Sequence, residues 1–148
     1  MHYKPKHFQV KELVPKHIYE KYGEWSLNFL DAGLLHDLDV IREALGQPII
    51  VNTTHGYNWS GLRTPEYSGY SPTSAHSMGK AIDIKLVGWQ SKDFSNGPVQ
   101  MVMDLIKELK QKGELKYITR MELNTENWVH IDVFNSEENN SSGLYLFG

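Results

Sequence analysis

Cysteine is absent from the 148 residues, which excludes a disulfide framework, thiol catalysis and any Cys-based zinc site. A metal held by this chain must therefore rest on His and carboxylate side chains. Long apolar runs are missing too: no stretch approaches the roughly 20 residues needed to span a bilayer. The opening residues Met1 to Lys6 are polar and lead into Phe8-Gln9-Val10-Lys11-Glu12-Leu13 without the apolar core of a secretory signal. That pattern predicts synthesis in the cytoplasm with no export route of the chain's own. Nor is there an excess of positive charge. Fifteen Lys and Arg stand against 18 Asp and Glu, a net charge of -3, so nothing draws the chain toward nucleic acid. Lys107, Lys110 and Lys112 are spaced as on one solvated helix face.

What is present is an ordinary globular mixture, 40% hydrophobic and 22% charged, long enough to bury roughly two-thirds of its unfolded surface. No repeat or linker divides it, so residues 1–148 read as one domain, expected to be monomeric. Lys11 to Gly23 reads as short helical turns broken by Pro15 and Gly23. From Ser26 to Leu45, apolar residues at Leu27, Leu30, Leu34, Leu38, Ile41 and Leu45 predict an amphipathic helix, stopped by Gly46 and Pro48. Ile49 to Val51 reads as a short buried strand. Residues 52–75 form a long irregular stretch, a length that usually signals function. Ala81 to Val87 alternates as a strand, and Gly97-Pro98 opens a second helix with Val99, Val102, Leu105, Ile106 and Leu109 on its buried face. Tyr117 to Leu123 and Trp128 to Phe134 are expected as paired strands. A turn over Asn139 to Gly143 precedes a final apolar stretch, Leu144 to Phe147. Helix, strand, loop, strand, helix and hairpin in that order make the fold α+β.

Two segments carry chemistry. In Ser74-Ala75-His76-Ser77-Met78-Gly79-Lys80-Ala81-Ile82-Asp83, a loop His precedes an Asp placed inside an apolar strand. Asp is disfavoured there and costly to bury unpaired, so either a cation compensates it or it faces solvent. In Trp128-Val129-His130-Ile131-Asp132-Val133, His130 and Asp132 share one strand face. His130 is a metal ligand or a satisfied structural histidine, and Asp132 orients a ring or is solvated. Taken together, His76, Asp83 and His130 make a two-His, one-carboxylate set, which suits catalytic zinc because it leaves a coordination position for water.

Such a site needs a general base, and the candidates are Glu122 and Glu126. Pairing Asn124 with Trp128 around Thr125-Glu126-Asn127 puts Met121 and Leu123 with Val129 and Ile131 on the apolar face. Arg120 and Glu122 then share the polar face with His130 and Asp132, and Glu122 lies opposite His130, about 5 Å away at Cβ. A four-residue loop would mix the faces. The register therefore selects Glu122, with Glu126 at the loop tip as the alternative.

Ser74-x-His76-x-x-Gly79-x-Ala81-x-Asp83, then Glu122 and Trp128-Val129-His130, resembles the zinc D-alanyl-D-alanine carboxypeptidase and phage endolysin peptidase family, which shares its metal site with the hedgehog signalling domain. The likeness covers roughly residues 30–134. It implies that His76, Asp83 and His130 bind Zn²⁺, and that Glu122 is the base. Many members place the base three residues before the second His, where this chain has Asn127, so Glu122 corresponds to the subgroup with a longer hairpin. Ser60-Gly61-Leu62-Arg63 resembles the family's Ser-Gly-Tyr-Arg segment, implying that Arg63 and Ser74 contact the substrate peptide. A planar guanidinium is apt for a peptide carboxylate, the alternative being a plain surface Arg. The loop residues His55, Tyr57, Trp59 and Tyr70 either line a substrate groove or pack the loop onto the body.

The resemblance further implies a central antiparallel sheet with helices packed on one side. It also implies hydrolysis of a peptide bond in peptidoglycan stem peptides, as an endopeptidase or a D,D- or L,D-carboxypeptidase. With no signal segment visible, a phage or prophage enzyme reaching the wall through a holin or within a virion is expected. The competing reading is a non-catalytic zinc-containing module of a phage or signalling assembly.

Overall fold

The computed structural model describes residues 3–87, 97–134 and 143–148. The fold is α+β, and the described residues form three α-helices and a five-stranded mixed sheet. The helices are α1 (Lys16–Tyr22), α2 (Ala32–Leu45) and α3 (Gly97–Gln111), and the strands are β1 (Ile49–Ile50), β2 (Ala81–Leu86), β3 (Arg120–Glu122), β4 (Val129–Asp132) and β5 (Tyr145–Phe147). Sheet order is β1-β2-β4-β3-β5. The first four strands are antiparallel neighbours, and β5 adds to β3 in parallel.

The helix expected from Ser26 to Leu45 is divided. Residues Gly23–Phe29 form a tighter 3₁₀ turn, Leu30 is extended, and α2 begins after Asp31. Asp31 caps it by accepting from the Leu34 N–H at 3.0 Å, while its own N–H donates to the Gly79 carbonyl at 2.8 Å. This tertiary bond competes with continuation of the helix. Gly46 closes α2 at φ +67°, as its position after the last periodic residue predicts. Lys110 also departs from expectation. It turns inward, and its ammonium donates to the Ile118 carbonyl at 2.6 Å. Most of the turn expected over 139–143 lies outside the described residues.

Alternation divides the sheet into two unlike faces. Ile82, Ile84, Leu86, Met121, Val129 and Ile131 join Leu34, Leu38 and Ile41 of α2 and Val99, Val102 and Ile106 of α3 in one core, so these helices cover the apolar face. The opposite face carries Asp83, His130, Asp132 and Arg120. Two buried carboxylates on α2 tie distant chain onto this body. Asp37, fully buried, accepts from the N–H groups of Lys116, Tyr117 and Ile118 at 3.2, 2.7 and 2.8 Å. Asp39 accepts from the Tyr3 hydroxyl at 2.6 Å and from the N–H groups of Lys6 and His7 at 2.7 and 3.2 Å. Their spacing inside a helix reads as ordinary polar alternation, and no local signal marks them as anchors.

Candidate metal centre

The hairpin register places the centre. Arg120 pairs with Asp132 and Met121 with Ile131, the pairing expected from segregating apolar and polar faces. Continued by one residue, it sets Glu122 opposite His130. On the other side of β4, Asp83 pairs with His130, and β5 sets Phe147 beside Glu122. Asp83, His130, Glu122 and Phe147 thus form one row across four strands. All four line an open cleft of about 290 Å³, together with Arg63, Ser74, His76 and Trp128.

His76 reaches the row from outside the sheet. Its loop is held by hydrogen bonds from the Arg63 and Gly79 N–H groups to the His76 carbonyl, both 3.2 Å. Gly79 sits at φ +69°, and a Cβ there would lie 1.8 Å from the Phe29 carbonyl oxygen, so only glycine lets the turn pack this closely. The irregular stretch after β1 is sewn to the same edge. Buried Asn52 donates to the Val14 carbonyl and accepts from the Ser60 N–H, and the Ser60 carbonyl accepts from the Asp83 N–H at 2.7 Å.

His76 Nε2, His130 Nδ1 and Asp83 Oδ1 converge. The two nitrogens are 3.2 Å apart, His76 Nε2 is 3.2 Å from Oδ1, and His130 Nδ1 is 2.8 Å from it. Three donors about 2.0–2.1 Å from a tetrahedral ion would be separated by roughly 3.3 Å. The triangle is therefore near the size of one face of such a tetrahedron. The remaining ring atoms agree. His76 Nδ1 is 2.9 Å from the Gly61 carbonyl, which can only accept, so that nitrogen carries a proton and Nε2 is the one turned toward the cluster. His130 Nε2 donates to Asp132 Oδ2 at 2.9 Å, leaving Nδ1 to face the cluster. Fixing the tautomer from the far side of the ring is characteristic of metal-binding histidine. Among the described residues, His76, Asp83 and His130 are the group that could hold a metal ion.

Metal-free, the cluster is strongly coupled. Burial would lower the pKa of His130, but hydrogen bonds to Asp132 and Asp83 outweigh it and push the value up to about 9. Burial would raise that of Asp83, yet hydrogen bonds from His130 and His76 hold it well below the usual carboxylate range. Asp132 is held low despite burial by His130 and Arg120.

The other expected site residues fall at graded distances from the triangle. Glu122 is half-buried in the cleft wall, whereas Glu126 is exposed at the hairpin tip. Ser74 lines the cleft and accepts from the His76 N–H at 3.3 Å. Arg63 also lines it, with Nη2 3.2 Å from Asp83 Oδ2 and Nε donating to the Trp59 carbonyl at 2.8 Å. Of the loop aromatics, Trp59 stacks on Tyr67 with centroids 5.2 Å apart, and Tyr57 lies under the Lys85 ammonium at 4.0 Å. They pack the loop; the aromatic walls of the cleft are Trp128 and Phe147. The contribution of Phe147 was invisible in sequence, because three residues of strand reveal nothing of a partner about 25 positions away.

Fold and site together define an α+β domain with a buried two-His, one-Asp cluster at the floor of a cleft. No protein-family model, curated protein or solved structure matches this chain. Among the described residues no helix is long and apolar enough to cross a membrane.

Proposed function

We propose that this chain is a zinc-dependent peptidase that hydrolyses a peptide bond in peptidoglycan stem peptides, as an endopeptidase or a D,D- or L,D-carboxypeptidase. The observation that carries the reading is the row Asp83, His130, Glu122 with His76 above it, open to the cleft. Two imidazoles and one carboxylate are the catalytic rather than the structural complement for zinc. When bound, zinc supplies Lewis acidity toward a peptide carbonyl and toward water.

The protein's own groups do the rest. Glu122, on the strand beside His130 and outside the ligand triangle, takes the proton of the attacking water and returns it to the leaving amine nitrogen. Asp83 uses one oxygen in the triangle while the other is held by Arg63, so its carboxylate plane cannot rotate. The guanidinium of Arg63, presented beside the cluster, binds a peptide carboxylate or carbonyl, and Ser74 steadies the adjacent backbone. Trp128 and Phe147 give the stem peptide an apolar wall.

The test is a digest of purified muropeptides resolved by mass, with and without chelator. Cleavage at one defined bond, abolished by chelation and restored by stoichiometric zinc, is expected. Protein that binds zinc but cuts no muropeptide would replace the peptidase with a binding module.

A further inference from the structure

Behind the ligand triangle lies a second set of contacts that the proposed chemistry does not use. Asp132 is fully buried and all its oxygens are engaged. Oδ1 accepts from Arg120 Nε at 2.8 Å and from the Phe134 N–H at 3.1 Å. Oδ2 accepts from Arg120 Nη2 at 2.8 Å and from His130 Nε2 at 2.9 Å. The Arg120 guanidinium itself has aromatic rings beside it, Phe147 at 4.4 Å and Phe134 at 5.1 Å. Phe147 then meets the His130 ring edge to face, centroids 5.7 Å apart and planes at 89°. On the side away from the triangle the His130 ring thus meets Asp132 and Phe147, and Arg120 of β3 touches both of these.

An ion pair with its carboxylate buried and its guanidinium partly so is a poor device for stability alone, since desolvation offsets much of the attraction. A two-pronged fork is a good device for direction. It holds the Asp132 carboxylate plane, and that plane sets the line along which Oδ2 receives the His130 N–H. We propose that Arg120 and Phe147 are positioning residues of the metal centre. Arg120 aims His130 Nδ1 through Asp132, and Phe147 holds the guanidinium and the imidazole in register. The proposal rests on the metal-site reading above and is independent of which bond, if any, the protein cuts. It also gives the parallel strand β5 a role: it carries Phe147 to the end of the ligand row.

Zinc affinity is measured by competition with a chromophoric chelator, alongside the absorption spectrum of the Co²⁺-substituted protein, for the parent chain and for Arg120→Gln, Arg120→Lys and Phe147→Leu. Circular dichroism establishes that each is folded. Loss of an outer partner of a metal-ligating histidine weakens metal binding about 10–100-fold. Arg120→Gln is expected in that range with altered Co²⁺ bands. Arg120→Lys, which keeps charge but not the fork, should fall between it and the parent. Phe147→Leu, which keeps apolar volume but not the flat ring, should weaken binding less than Arg120→Gln. Should Arg120→Gln fail to fold, Arg120→Lys and Phe147→Leu carry the test. Parent-like affinity and Co²⁺ spectrum in the folded variants overturns the proposal alone. Absence of zinc uptake by the parent chain overturns the metal centre and this proposal together.

Discussion

Asp83 and His130 are cross-strand partners in β2 and β4, and their facing atoms, Oδ1 and Nδ1, lie 2.8 Å apart. A metal ion and a proton compete for the space between them. Metal-free, His130 has its pKa raised from 6.5 to about 9, so its contribution to stability is complete below about pH 6.5 and disappears as pH rises through 9. Asp83 is shifted the other way from 3.8, so its contribution is present above about pH 4 and is lost in acid. Chelated protein should therefore melt highest between about pH 4 and 6.5 with respect to this cluster. The gain in melting temperature on adding zinc should instead grow from pH 6 to 9, because the ligand must shed its proton. Melts across this range, with and without zinc, check both slopes; a zinc gain that shrinks with rising pH would remove His130 from the ligand set.

Glu122→Gln keeps volume and shape but cannot accept a proton. Zinc content and melting temperature should barely change, while turnover on wall peptide falls about 10²–10⁴-fold. Glu126→Gln, altering an exposed residue at the hairpin tip, should leave turnover near that of the parent. The comparison is of rates for two zinc-loaded variants, and a dead Glu126→Gln beside an active Glu122→Gln would move the base to the loop.

Asp37→Ala strips three backbone N–H groups of their acceptor, that of buried Ile118 and those of the more exposed Lys116 and Tyr117. At about 1–3 kcal/mol for each unsatisfied buried group, partly relieved by water, the loss should reach about 3–5 kcal/mol. At about 2–4 °C per kcal/mol this is a fall of roughly 6–20 °C in melting temperature. Zinc affinity measured well below the transition should stay within a factor of a few. An unchanged melting temperature would mean that the 116–118 segment is not anchored there.

Gly46 and Gly79 have nearly the same backbone, φ +67° and +69°, but different surroundings. Alanine at Gly46 meets open space and should cost only the left-handed conformation, about 1–2 kcal/mol. Alanine at Gly79 adds a collision with the Phe29 carbonyl and should cost more than about 3 kcal/mol. It should also weaken zinc binding, because the same turn presents His76. Denaturant midpoints of the two variants separate strain from collision, and equal losses would contradict the packing of this turn on Phe29.

Much of this was legible in the chain because it is local. Cysteine's absence restricts any metal site to His and carboxylate, and the spacing of His76, Gly79 and Asp83 places a loop His beside a strand Asp. Alternation in β3 and β4 leaves a single pairing of the hairpin that keeps the apolar and polar faces apart. The register Arg120 with Asp132 follows from that, and with it the placing of Glu122 over Glu126. Tertiary structure alone decided the rest. That His76 Nε2 and His130 Nδ1 meet at 3.2 Å across 54 residues depends on how the loop docks at the edge of β2. The break before α2 depends on a bond between Asp31 and Gly79, and the burial of Asp37 on backbone arriving from 80 residues away. The pairing of β5 with β3 brings Phe147 to a cleft its own sequence does not announce. The physical reason is common to all of these. Periodicity and propensity act over a turn or a strand, whereas the direction of a buried side chain is set by whichever distant groups satisfy its hydrogen bonds.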